Sequence, residues 1–510
     1  MTCQAARTSA LERVMRKSRT YRSPFIKKFR TRSSLYIYDA NTNHIVKVDP
    51  VVYSVVGDIH RLAPEEIVRK WSGRFDPAEV RRALGEIGRI MEADHLFRAD
   101  RPREIRPFGG QSNHERAGEA SYQHLILNVT ESCNLRCRHC VYGGKYPNQR
   151  LHSSRRMSRE IAHKALDFFL EKSRRVKEPH VGFYGGEPLL NLNLIRDCVE
   201  YVRSRTSKKY HFGLTTNGIL LTPPVAEYLI ENDFNIMVSL DGPRHVHDRY
   251  RVDARGRGSW EKVIRNLELL SAMSPLYFKS HVTISAVVIS NDHLSDIRSF
   301  FENSPLMSGL SVSISYPVYT PNPLIEEEQP AGRENSHPCE HCALFSNCES
   351  RLANLEGLTG FLKGYFQREL YEIHYRPIFD GFNGGIHING CCFPGQRRLF
   401  ASCDGRYFIC ERLDNGYPLG SVDEGVLPER VAALVEEYRG VSKSCLNCWA
   451  VRFCSKCYAS MSTGGRINAD LRRKECHSFR RDFEKVLVLY HEVAEKDPRA
   501  FGFLRHVTQS

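Results

Sequence analysis

Glu131-Ser132-Cys133-Asn134-Leu135-Arg136-Cys137-Arg138-His139-Cys140 follows directly on a strand-like apolar run, Leu125 to Val129. Three cysteines stand at C-x3-C-x2-C spacing. One loop can wrap three thiolates around a single face of an iron–sulfur cubane at that spacing. A [4Fe–4S] cluster takes four cysteine thiolates, so three local cysteines leave one iron open to a non-protein ligand. An open iron on a low-potential cluster delivers one electron into whatever chelates it. A zinc-binding loop is the alternative, and it would need a second such knuckle as partner.

At 510 residues the chain has room for roughly three domains. Its 41% hydrophobic and 26% charged content is that of a globular protein. The net charge of +14 suits a polyanion or an acidic peptide as partner. No apolar run reaches membrane-span length. The N-terminus, MTCQAARTSALERVMRKS, lacks the apolar core of a secretory signal, which predicts a cytoplasmic protein. Seventeen cysteines in such a chain argue for metal or catalytic use rather than a disulfide framework. Cys3 and Cys198 stand alone, and twelve cysteines follow residue 338.

Residues 122–320 alternate strand-like and helical runs. Strands are predicted at Gln123–Val129, His180–Tyr184, Tyr210–Thr215, Asn235–Leu240, His281–Ile289 and Leu310–Tyr316. Between them, Ser158 to Lys172 places Ile161, Ala165, Phe168 and Phe169 on one helical side. Such alternation predicts parallel strands with helical crossovers. Ligands of α/β barrels sit at the C-terminal ends of strands, and motifs fall there. Gly185-Gly186-Glu187-Pro188 follows the second strand and Thr215-Thr216-Asn217-Gly218 ends the third. Ser239-Leu240-Asp241-Gly242-Pro243 ends the fourth, with His247-Asp248-Arg249-Tyr250-Arg251 just beyond.

The cysteine loop and these ordered motifs resemble the radical S-adenosylmethionine (SAM) superfamily. The resemblance implies an α/β fold built on a partial (β/α)6 TIM-like barrel. It implies a SAM-binding [4Fe–4S] cluster on Cys133, Cys137 and Cys140, and reductive cleavage of SAM to methionine and a 5′-deoxyadenosyl radical. It also implies SAM-site roles for His139, Gly185, Gly186, Glu187, Asn217, Ser239, Asp241 and Arg251. The G-G-E-P motif would meet the SAM amino group, and the later polar residues its ribose and carboxylate. The family's strand-five glycine pattern is not evident in Thr283-Ile284-Ser285-Ala286-Val287.

Residues 1–32 are basic and irregular, and read as a solvated tail or a phosphate- or carboxylate-binding arm. Leu35 to Tyr38 and His44 to Val48 read as a hairpin. Helices follow at Pro50, Pro64 and Asp76-Pro77, the last with Val80, Leu84, Ile87, Ile90 and Met91 at helical spacing. Residues 33–100 thus resemble the winged-helix-like domain that recognises leader peptides of ribosomally made, modified peptides. There the leader adds a strand beside the hairpin. A DNA-binding winged helix is the alternative. Residues 101–121 read as a linker.

Residues 321–388 read as a linker or insert carrying Cys339-x2-Cys342-x5-Cys348, either a metal site or free thiols. Residues 389–480 carry Cys392, Cys410, Cys445-x2-Cys448-x5-Cys454-x2-Cys457 and Cys476. They resemble the SPASM domain of peptide-modifying radical SAM enzymes, which implies two auxiliary [4Fe–4S] clusters. Cys392, Cys410 and Cys457 would serve the first. Cys403 would complete it, or an iron would stay open for a substrate thiolate. Cys445, Cys448, Cys454 and Cys476 would serve the second. The final C-x2-C departs from the family's C-x3-C, and a zinc ribbon is the alternative. Residues 481–510 read as a C-terminal helix.

Together these resemblances imply a radical SAM enzyme with SAM and three [4Fe–4S] clusters, acting on a ribosomally made precursor peptide. The N-terminal domain would hold the leader, and an electron donor such as flavodoxin or ferredoxin would supply the cluster. The implied product is a thioether from cysteine sulfur to a residue carbon. Glu411, after Cys410, stands where related enzymes place an acidic base; a solvated surface glutamate is the other reading. Carbon–carbon crosslinking or formylglycine formation in a sulfatase is the alternative chemistry. A zinc- and nucleic-acid-binding protein is a third reading, which the ordered SAM motifs oppose. No membrane and no nucleic acid are expected as partners.

Overall fold

The computed structural model describes residues 23–105, 121–146, 149–289, 293–315, 367–382, 384–386, 388, 392, 394, 396–502 and 504. Cys339, Cys342, Cys348 and Cys391 lie outside these residues.

Three antiparallel strands open the described chain: β1 (Ile26–Arg30), β2 (Leu35–Asp39) and β3 (His44–Val48), in the order β1-β2-β3. Helices Pro50–Val55, Pro64–Trp71 and Pro77–Ala93 follow. Each starts on a proline, which needs no backbone donor there, and Asp49 and Asp76 cap the first and third. The pleat of β2 splits the unit's packing in two. Ile37 faces Val52, Val55, Ile67, Val80 and Ile87 of the helices, whereas Tyr36 and Tyr38 belong to the core of the main body.

β1 corrects the expectation of a tail through residue 32. Lys27, Lys28 and Arg30 hide a strand whose apolar anchors, Phe25 and Phe29, are both buried. The sheet docks on the C-terminal part of the chain. Glu495 accepts hydrogen bonds from Thr31 Oγ1 (3.0 Å), Ser33 Oγ (2.6 Å) and Tyr36 OH (2.8 Å). Arg452 donates to the carbonyls of Ala40 and Asn41 at 2.8 and 2.7 Å. β4 (Glu104–Ile105) pairs in parallel with β11 (Gly385–Ile386), so part of the expected linker is held in place.

The main body is a ten-stranded sheet. Its six parallel strands are β5 (Tyr122–Thr130), β6 (His180–Gly185), β7 (His211–Thr216), β8 (Asn235–Ser239), β9 (Val282–Val287) and β10 (Ser311–Ser315). Helices Arg159–Lys172, Leu192–Arg205, Pro223–Glu231, Trp260–Met273 and Leu294–Asn303 connect them. This is the expected partial barrel. One face of the sheet is dry: Phe212, Leu214 and Thr216 of β7 are buried. The alternate residues, His211, Gly213 and Thr215, are part-exposed. On the same face of β8, Met237 is 37% exposed. The two faces of the sheet thus differ, one dry and the other part-exposed.

β12 (Arg397–Ala401) lies parallel to β5, and β13 (Arg406–Phe408), β14 (Gly420–Ser421) and β15 (Gly425–Val426) continue antiparallel. The C-terminal region is therefore hydrogen-bonded into the barrel sheet. An unclosed barrel leaves the edge of β5 unpaired, and β12 covers it.

The last helix spans Ala469–Lys496, capped by Asn468, and starts well before the predicted 481. The run Arg472 to Glu475 breaks the apolar period there. Phe483, Val486, Leu487, Tyr490 and Val493 beyond it are buried. Among the described residues, no helix is long and apolar enough to cross a membrane.

Candidate active site

The Cys133–Cys140 loop leaves the C-terminal end of β5 and is held from two sides. Gly186 N donates to Thr130 O and Glu187 N to Ser132 O, both at 2.9 Å. Arg136 N and Arg138 N donate to Val252 O (2.7 Å) and Tyr250 O (2.8 Å). The two glycines are required by contact distance. A Cβ on Gly185 would lie 2.2 Å from Thr130 O, and one on Gly186 would lie 2.3 Å from Ser132 O. Both obstacles are backbone.

The three thiols share one electrostatic neighbourhood. Burial pushes Cys133 and Cys137 up to about 12 and Cys140 up to about 11, and their mutual repulsion adds to this. Cys140 Sγ lies 3.5 Å from His152 Nε2. His139 sits edge-on to Tyr250, with Nδ1 closed off from solvent and without a partner. Three converging sulfurs that burial keeps protonated lose their protons to a bound metal. With that orphaned imidazole nitrogen alongside, the residues fit a cluster held by three cysteines.

The flanking motif residues form brackets. Glu187 is fully buried and accepts from Thr216 Oγ1 (2.8 Å), Asn217 N (2.8 Å) and Leu189 N (3.2 Å). Burial pushes its carboxyl up to about 7 against those hydrogen bonds. The folded state therefore prefers it protonated. That preference stabilises the fold fully below the ordinary 4.5 and is lost as pH rises through about 7, a span of roughly 3 kcal/mol. Glu187→Gln, a mimic of the protonated form, is expected to flatten this part of a urea-unfolding profile between pH 4.5 and 8. Parallel wild-type and variant profiles would mean that Glu187 is ionised throughout.

Asn217 Nδ2 donates to Asn134 Oδ1 at 2.7 Å, and its own Oδ1 accepts from Ile219 N. It braces the residue beside Cys133. Ser239 ends β8 opposite Ser285 of β9.

Asp241 and Arg251 pair with each other. Arg251 donates from Nε to Asp241 Oδ2 (2.7 Å) and from Nη2 to Oδ1 (2.9 Å), and Val287 N also donates to Oδ1 (2.9 Å). Both side chains are buried. Burial alone would raise Asp241, but the Arg251 charge and hydrogen bonds win and hold it at about 2. The Arg251 fork is occupied by a carboxylate of the chain itself. The pair ties β8 and β9 to the segment gripping the cysteine loop.

The C-terminal cysteines separate into two sets by proximity. Cys392, Cys410 and Cys457 feel one another's charge. So do Cys445, Cys448, Cys454 and Cys476. Cys403 joins neither in this arrangement. It is buried against β5, where its thiol donates to Asn128 O at 2.8 Å beside Glu131 and Asp404. The C-D-G turn after β12 places it there.

Glu411 is not a solvated surface residue, its side chain being 12% exposed. Oε1 lies 3.9 and 4.0 Å from Arg412 and Arg398, and Oε2 is closed off without a hydrogen-bond partner. Its carbonyl accepts from Tyr142 OH (3.1 Å) and from Arg150.

A family model for the radical SAM superfamily matches residues 127–302, the stretch that carries the loop and all four motifs. Residues 127–302 are a radical SAM domain. Family membership carries SAM and a [4Fe–4S] cluster with it. A cysteine-type anaerobic sulfatase-maturating enzyme of Clostridium novyi is 26% identical over 320 residues, covering 61% of this chain and 76% of that one. A radical SAM cyclopropyl synthase of Paramaledivibacter caminithermalis is 31% identical over 154 residues, 29% of this chain and 32% of its own. The chain spans about half the length of other curated relatives that it matches. The fold is shared with a solved structure described as native anSMEcpe with bound AdoMet. Its TM-score is 0.54 at 21% identity, over 75% of this chain and 99% of that one.

Sequence reasoning missed Asn134, His152, Tyr142 and Arg150. Asn134 lies inside the cysteine motif and was open to notice. The others come from the loop after it, with no spacing signal.

Proposed function

We propose that this radical SAM enzyme matures a ribosomally made precursor peptide by joining a cysteine sulfur to a carbon of an acceptor residue. The N-terminal sheet carries the reading. Among the described residues β3 pairs only with β2, so its outer edge can take a strand from a leader. Residues 33–100 would then be the leader-recognition unit, 122–320 the radical core and 389–480 the auxiliary-cluster unit.

Cys133, Cys137 and Cys140 would hold the cluster, which when bound supplies the electron for SAM cleavage; a flavodoxin- or ferredoxin-type donor would replenish it. Asn217 and the Gly185-Gly186 backbone keep the loop in place. Cys445, Cys448, Cys454 and Cys476 have the donors of a complete second centre. Cys392, Cys410 and Cys457 offer three sulfurs to another, with a position left for a substrate thiolate. Glu411, beside Cys410, carries a partnerless oxygen that can accept a proton.

Formylglycine formation in a sulfatase is the second reading, favoured by the name of the Clostridium relative. The test uses reconstituted enzyme, SAM, dithionite and a cysteine-rich peptide encoded beside the gene. The peptide is expected to lose two hydrogens and to protect one cysteine from alkylation. An aldehyde on a sulfatase-derived peptide, with no crosslink in the first, would move the assignment to the second reading. Glu411→Gln is expected to slow crosslinking by about 10²–10⁴-fold, the range for a general base, while 5′-deoxyadenosine still forms. Equal loss of both products would remove Glu411 from the proton step.

A further inference from the structure

Arg472 is a buried cation. It is 2% exposed. Nη2 donates to Cys445 Sγ at 2.9 Å and Nη1 to Met461 Sδ at 2.8 Å. Its guanidinium carbon lies 4.9 Å from the centre of the Tyr438 ring. Nε is closed off from solvent without a partner. The acceptors it touches are two sulfurs, and among the described residues no carboxylate forms an ion pair with it. A guanidinium keeps its charge at any working pH. Removing it from water without an anion is strongly unfavourable. Something anionic must therefore stand beside it.

The anion is in the same pocket. Cys476 lies one turn further on the helix, at i+4, and Arg480 a turn beyond that. Cys445, Cys448, Cys454 and Cys476 surround the site, and Arg480 reaches Cys448. Helix Ala469–Lys496 thus presents the stripe Arg472, Cys476, Arg480, a ligand flanked by two cations. Four neutral thiols would not answer a buried charge, but four thiolates on a metal centre would.

We propose that Arg472 is the charge partner of an iron–sulfur centre at Cys445, Cys448, Cys454 and Cys476 and holds its reduction potential high. The inference rests on the auxiliary-centre reading above and adds a role to it. Hydrogen bonds to the sulfurs and local charge set such potentials. A fixed cation donating to a ligand sulfur favours the form carrying one more electron. A centre so biased accepts an electron more readily than one without that cation.

The test is a redox titration of the full chain, reconstituted without oxygen and followed by EPR. Dithionite supplies one electron per centre through mediators. Cys454→Ala identifies the wave that belongs to this site by removing it. In Arg472→Gln that wave is expected to move to lower potential by at least a tenfold change in the oxidised-to-reduced ratio. For a one-electron couple this is about 59 mV. The other waves are expected to stay in place. Arg472→Lys keeps the charge and loses the fork, so its wave should move in the same direction by less. It decides the matter if the glutamine variant loads poorly. A loaded variant whose waves all match wild type overturns the role of Arg472 and leaves the metal reading intact. If Cys454→Ala removes neither iron nor any wave, or the site binds zinc instead, the iron–sulfur reading itself falls.

Discussion

The triple variant Cys133→Ala, Cys137→Ala, Cys140→Ala is expected to form no 5′-deoxyadenosine above background when reconstituted with iron, sulfide, dithionite and SAM. The effect should be complete, because these are the sulfurs gathered at the C-terminal end of β5. The fold should survive. The loop is held by backbone hydrogen bonds to Thr130, Ser132, Tyr250 and Val252, none of which uses a thiol. Circular dichroism should therefore match wild type, while iron content falls by one cluster. Cys198→Ala is the control. That thiol is buried among the apolar side chains of helix Leu192–Arg205 and should leave product formation unchanged. Residual product in the triple variant would mean that SAM is cleaved elsewhere. Unchanged iron content would mean that the loop does not hold the cluster.

Asp241→Ala should be the most damaging single substitution to the fold. It strands the buried Arg251 guanidinium and also orphans Val287 N. Breaking a buried pair by removing one partner costs about 3–5 kcal/mol, because an uncompensated charge remains. The double variant Asp241→Ala, Arg251→Met should be less damaging than Asp241→Ala alone, since no charge is stranded. Urea unfolding of the three proteins measures this directly. The cysteine loop should loosen as well. Arg251 follows Tyr250 and precedes Val252, whose carbonyls grip Arg138 and Arg136. Iron loading of Asp241→Ala is therefore expected to fall along with stability. If the single and double variants unfold alike, the pair acts by shape rather than charge.

These two cases mark where reading the sequence succeeds and where it stops. The Cys133–Cys140 loop was legible because its spacing is local. One turn of chain brings the three sulfurs together whatever the rest of the protein does. The six parallel strands were legible for a related reason. Each is a short apolar run between amphipathic helices, and β5 to β10 pair in chain order. Basic residues hid two elements from the same method. β1 lay within the cationic run of Lys27, Lys28 and Arg30, and the first turns of the last helix within Arg472, Arg473 and Lys474. In both, tertiary packing of a few side chains, such as Phe29 and Leu471, outweighs the local pattern.

The sequence by itself determined the radical SAM chemistry, the partial barrel and the order of the motifs along it. Only the tertiary structure decided which side chains face one another across long separations. It put Arg251 on Asp241, set Cys403 against β5, enclosed Glu411, and placed Arg472 against Cys445. Spacing predicts contacts within a turn of helix or a tight loop, where chain geometry sets the distance. A partner 27 residues away, as Arg472 is from Cys445, is chosen by the packing of whole elements and by the need of a buried charge for an opposite one.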